Sequence, residues 1–86
     1  MYNNGPHMFG LVRRYITDSA ARKLHQIARR YDARFVHAGK IPGNSIRGWF
    51  ESDNLGEPFN GAVTRAVLCD VQDEHPRIAA ALGLAD

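Results

Sequence analysis

Residues 33–52 read ARFVHAGKIPGNSIRGWFES, and this stretch decides the fold. Its ends are rich in aromatic and β-branched residues, and its middle is punctuated by glycine and proline. That composition predicts two strands, 33–38 and 45–52, joined as a hairpin. Pro42-Gly43 suits the two central positions of a type II turn, where only the second residue needs φ > 0. Lys40 then stands at an exposed hairpin tip, a candidate contact point.

Upstream, DSAARKLHQIARRYD (18–32) predicts a helix. Ala20, Ala21, Leu24, Ile27, Ala28 and Tyr31 recur at helical spacing and form one apolar stripe. Thr17 is placed to cap this helix, and Asp18 puts a carboxylate at the positive end of its dipole. Arg22, Lys23, Arg29 and Arg30 fall on the opposite, basic face. Before the helix, FGLVRRYIT (9–17) reads as a first strand.

Downstream, DNLGE is a loop and Pro58 opens a helix running to about residue 74, since proline is tolerated in a first turn. His75-Pro76 breaks it, and PRIAAALGL forms a short last helix. The order β-α-β-β-α-α predicts a two-layer α+β fold, a three-stranded, mainly antiparallel sheet with helices on one face.

Eighty-six residues suffice for one domain. The domain is expected to span residues 8–86. Residues 1–7 are set aside as a tag remnant or disordered N-terminus, because GPHM resembles a cleavage and cloning scar. No secretion leader or membrane-length apolar run is visible, and the lone Cys69 suits a reducing compartment, so a cytoplasmic protein is expected. Charge is divided unevenly. Residues 1–47 carry nine Lys/Arg against two acids, and residues 48–86 carry two against seven. The halves either neutralise each other on folding or present a basic surface to a partner.

Strand alternation sorts the candidate site. Val12, Ile16, Val36, Ala38, Ile46 and Phe50 are expected to face the helices. Arg13, Tyr15, Phe35, His37, Arg47 and Trp49 are then expected to share the open sheet face. Aromatic residues mixed with arginine suit protein interfaces, and they also suit unpaired nucleic-acid bases.

Chemistry is poorly represented. Glu51, Asp53 and Glu57 lack calcium-loop or zinc spacing, so no metal site is expected, and no cofactor motif occurs. Cys69 falls at the edge of the second helix's apolar side and is expected to be a packed, inert thiol. Asp70 interrupts that helix's stripe and is expected to pair with Arg14.

The expectation is a small non-enzymatic binding protein, with no catalytic residues. It docks on a larger protein or ribonucleoprotein and occludes it, with contacts on the open sheet face and the basic helix. Its size is that of inhibitors that phages and mobile elements turn against host defences, anti-CRISPR proteins among them. The alternatives are a nucleic-acid-binding domain using the same surfaces and a homodimer that buries the aromatic face.

Overall fold

The computed structural model describes residues 7–38, 43, 45–52 and 61–83. The elements are β1 (His7–Val12), α1 (Asp18–Arg29), β2 (Ala33–His37), β3 (Gly48–Ser52), α2 (Gly61–Glu74) and α3 (Pro76–Leu82). The order is β-α-β-β-α-α, an α+β fold as the sequence predicts. The sheet order is β1-β3-β2, antiparallel throughout, so the last strand lies in the middle.

α1 forms because its start is capped and one face is apolar. The Thr17 hydroxyl accepts the amide of Ala20 at 3.1 Å, and Asp18 occupies the first turn. Ala21, Leu24, Ile27 and Ala28 bury the expected stripe. Beyond Arg30 the chain turns through Asp32, whose φ of 57° is a left-handed conformation that aspartate tolerates better than most residues.

A row of phenylalanines crosses the sheet. Phe9 pairs with Phe50, and Phe50 pairs with Phe35. The first rings stack with centroids 5.6 Å apart, and the second pair meets edge to face at 4.9 Å. Such pairs add about 0.5–1.5 kcal/mol each beyond area burial. α1 covers this row with Leu24 and Ile27, α2 adds Val67 and Val71, and α3 adds Ala79 and Leu82. Two glycines make the layer fit. Gly10 adopts φ 59° at a bulge where two β1 residues oppose Trp49, the Gly-first type of bulge. Gly48 lies under the Phe35 ring; a Cβ there would stand 2.5 Å from the ring tip.

Several boundaries differ from expectation. β1 ends at Val12, not residue 17, because Arg47 N–H to Val12 C=O (2.7 Å) is the rung at its end and the chain then leaves the sheet. Its first residue, His7, pairs with Ser52. The regular part of β3 starts at Gly48, although Ala38 N–H still bonds Arg47 C=O at 2.8 Å. Gly43 has φ 76°, as the turn reading requires, whereas Lys40, Pro42 and the helix start at Pro58 lie outside the described residues. Among the described residues, no helix is long and apolar enough to cross a membrane.

Candidate functional site

Among the described residues the sheet has one face under the helices and one without them, and β2 is the strand that departs from expectation. Phe35 is 7% exposed and belongs to the core, while Val36 stands on the opposite side, half-buried. The expected placement of Phe35 and His37 on the open face is therefore corrected. The left-handed turn at Asp32 delivers Ala33, fully buried, to the helix side, and a period of two carries Phe35 and His37 with it. His37 pairs with Gly48 and turns its Nδ1 towards Asp18 of α1, 3.5 Å away. Arg13 and Tyr15 also leave the candidate face. They lie beyond the end of β1, both exposed, and Tyr15 stands at a groove between the start of α1 and α3.

Arg47 and Trp49 keep their expected side. The outer face is built in cross-strand rows. Met8, Glu51 and Arg34 are partners in one row, and Trp49 and Val36 in the next, with Leu11 beside Trp49 in the bulge. Met8 and Leu11 are about half exposed, at 50% and 41%. Alternation from the buried Gly48 puts Arg47 on this side, half-buried.

Glu51 organises the face. Its Oε1 accepts the Arg34 Nε–H at 2.8 Å, and its Oε2 accepts the Trp49 Nε1–H, also at 2.8 Å. The carboxylate is thus held between a guanidinium and an indole. Both side chains are locked, and the charges of Glu51 and Arg34 cancel within the face. The result is a largely apolar surface that carries one neutralised ion pair and the Arg47 side chain. Asp53 and Glu57, the other two acids of this stretch, lie outside the described residues. Among the described residues, no group of three or more His, Cys, Asp or Glu could hold a metal ion.

The basic helix face is smaller than its sequence implies. Arg22, Lys23 and Arg29 are exposed on α1. Arg30 instead reaches α2, where its guanidinium grips Glu74 with two hydrogen bonds, one of them 2.8 Å, and touches Asp70 at 3.3 Å. Tyr31 donates its hydroxyl to the same Asp70 at 2.6 Å. Asp70 therefore pairs with Arg30 and Tyr31, not with Arg14 as expected. These bonds move the groups' titrations. Hydrogen bonding to Arg30 holds the Glu74 carboxyl below its ordinary range, and Glu74 in turn raises the Arg30 guanidinium. The bond to Asp70 raises the Tyr31 phenol. The expectation for Cys69 is likewise corrected: the thiol is exposed, not packed.

Sequence reasoning missed Arg34, Met8 and Val36 as members of the outer face. Arg34 and Glu51 are opposite charges directly across a strand pair, a signal visible only once the register is known. His25 was also missed. Its Nδ1 accepts the Phe35 N–H at 3.1 Å, which closes part of the free edge of β2 and places the imidazole proton on Nε2. No protein-family model matches the chain, and neither the curated proteins nor the solved structures contain a significant match to it.

Proposed function

We propose that this chain is a small, non-enzymatic binding protein that docks its outer sheet face on a larger protein or ribonucleoprotein and acts by occlusion, in the manner of an inhibitor. The observation that carries this reading is the outer face itself. Met8, Leu11, Val36 and Trp49 stand on the side of the sheet away from the helices, around a carboxylate that already has its partners. Met8 and Leu11 are about half exposed, and wet apolar surface forgoes roughly 25 cal/mol per Å² that a partner would recover. The internal pairing of Glu51 favours a protein surface over nucleic acid. The Arg34 guanidinium is already held by Glu51 and has little left to offer a phosphate, whereas an apolar partner surface needs no counter-charge.

The test is affinity capture from a cytoplasmic extract with and without nuclease. The double variant Trp49→Ala with Arg47→Ala runs beside it, its fold checked by circular dichroism. Capture that survives nuclease and is lost in the folded variant supports the reading. Capture indifferent to the variant sinks it, and so does a chain that sediments as a dimer through this face.

A second reading rests on a separate observation, the exposed cations Arg22, Lys23 and Arg29 on α1. If each neutralised one phosphate of a single strand, log K would fall with log salt at a slope of about −2. The cations of Arg30 and Arg34 are already matched by Glu74 and Glu51, so they add little to such a slope. Titration of a fluorescent RNA oligonucleotide over a range of salt concentrations measures it directly.

A further inference from the structure

The groove where Tyr15 stands is a second surface, on the helix side of the sheet. Its volume is about 210 Å³. Buried Ile16 and Leu82 form its floor, and Tyr15, Ala81 and Arg77 stand exposed around it. Tyr15 is 79% exposed, which leaves its ring free to close over an occupant. Small-molecule and cofactor pockets run from about 300 to 1,000 Å³, so this groove is undersized for them. It suits one large apolar side chain.

Among the described residues that line it, the one charged side chain is a cation. Arg77 lines the groove, and the Arg14 guanidinium lies over Gly83, 3.7 Å from where a Cβ would stand, at the end of α3 beside Leu82. Thr17 and Ala20, at the positive end of the α1 dipole, line the same space. The first turn of α3 carries no acid. Asp18, the carboxylate next to Thr17 in the chain, is directed towards His37.

We infer that this groove is an anchor site for an acidic peptide segment of a partner protein, which inserts one leucine-sized side chain and sets a neighbouring carboxylate on Arg77. The site is independent of the outer face, so either can fail without the other.

The probe is a synthetic peptide with one central leucine and two glutamates on each side. One twin has alanine for the leucine, and another has lysines for the glutamates. Each is titrated into the 15N-labelled chain and followed by amide shifts. The leucine–glutamate peptide is expected to shift Thr17, Ala20, Arg77 and Ala81. The alanine twin should bind about tenfold weaker or worse, from the loss of a buried leucine side chain. The lysine twin should not bind.

Ala81→Trp fills the groove from an exposed position and should abolish the shifts. Arg77→Glu, also exposed, should weaken binding about tenfold even if the tryptophan disturbs α3. Trp49→Ala should change nothing. Equal binding of all three peptides overturns the inference, as do shifts centred on Trp49. Groove shifts that depend on the concentration of the free chain would identify a second copy as the occupant and overturn it too.

Discussion

Phe35→Ala and Trp49→Ala form a matched pair, because the two residues sit almost opposite on adjacent strands but on different faces. Phe35 is buried against Phe50 and over Gly48, so its truncation removes a core ring and leaves a cavity. The expected cost is about 3–5 kcal/mol. Trp49 is half-buried on the outer face and loses chiefly its bond to Glu51 and its contact over neighbouring strands. The expected cost is about 1–2 kcal/mol. An 86-residue domain has a total stability of roughly 4–13 kcal/mol, so the first change threatens the fold and the second does not. At roughly 4–8 °C per kcal/mol, Trp49→Ala lowers Tm by about 4–16 °C. Phe35→Leu, which keeps most of the volume, provides a folded reference should Phe35→Ala fail to fold. Urea unfolding followed by far-UV circular dichroism suits all variants, since Trp49 is the sole tryptophan and fluorescence is lost with it. A Trp49→Ala cost equal to or above that of Phe35→Ala would show that β2 and β3 present the opposite faces and would refute the outer-face assignment.

Three other outcomes follow from particular contacts. Gly48→Ala drives a methyl into the Phe35 ring, the Ile16 side chain and the Val36 carbonyl, and should cost about 1–3 kcal/mol; combining it with Phe35→Leu should cost less than the sum in a double-mutant cycle. His25→Ala removes the acceptor of the Phe35 amide, so hydrogen exchange at Phe35 should accelerate while the pairing amides of Val36 keep their protection. Glu74 titrates lower in the folded chain than its ordinary 4.5, so its stabilisation is present above that pH and is lost as pH falls through the folded value. Tyr31 titrates above its ordinary 10.0, so its contribution is present below that pH and lost as pH rises through the folded value. Stability against pH, measured by urea melts, should fall less steeply on the acid side in Glu74→Gln and less steeply on the alkaline side in Tyr31→Phe.

The element order and the apolar stripe of α1 were legible because they rest on local signals: periodicity, a threonine cap and a proline after a histidine. The face of β2 was not. In ARFVHA both alternations offer an apolar set, Ala33 with Phe35 or Val36 with Ala38, and a shift of one residue exchanges them. The choice is made by the left-handed turn at Asp32 and by the space that Gly48 leaves for the Phe35 ring, and both are tertiary facts. The end of β1 failed for a similar reason. Arg13 to Thr17 has strand composition, but Ile16 reaches the core from outside the ladder while Tyr15 turns to solvent. The partner of Asp70 depended on where the end of α1 meets α2, a distance of 40 residues in sequence that no local pattern encodes.

Size limits how the outer face can work. Strands about 4.8 Å apart, with residues about 3.3 Å apart, give three strands of five residues a plan area of roughly 240 Å². A standard interface buries about 800 Å² on each partner. A partner of the outer face must therefore reach past its margins. The margin along β2 is the poorer direction, because His25 already holds the Phe35 amide and hinders the approach of another backbone. Among the described residues, the margin along β1 has no neighbouring strand and carries Met8 and Leu11, each about half exposed. The bulge at Gly10 interrupts the regular ladder there, so a partner gains more from those side chains than from adding a strand. On the proposed reading, affinity for a protein partner would depend on Trp49 at the centre with Met8 and Leu11 towards one side, and the basic face of α1 would contribute through long-range attraction more than through contact.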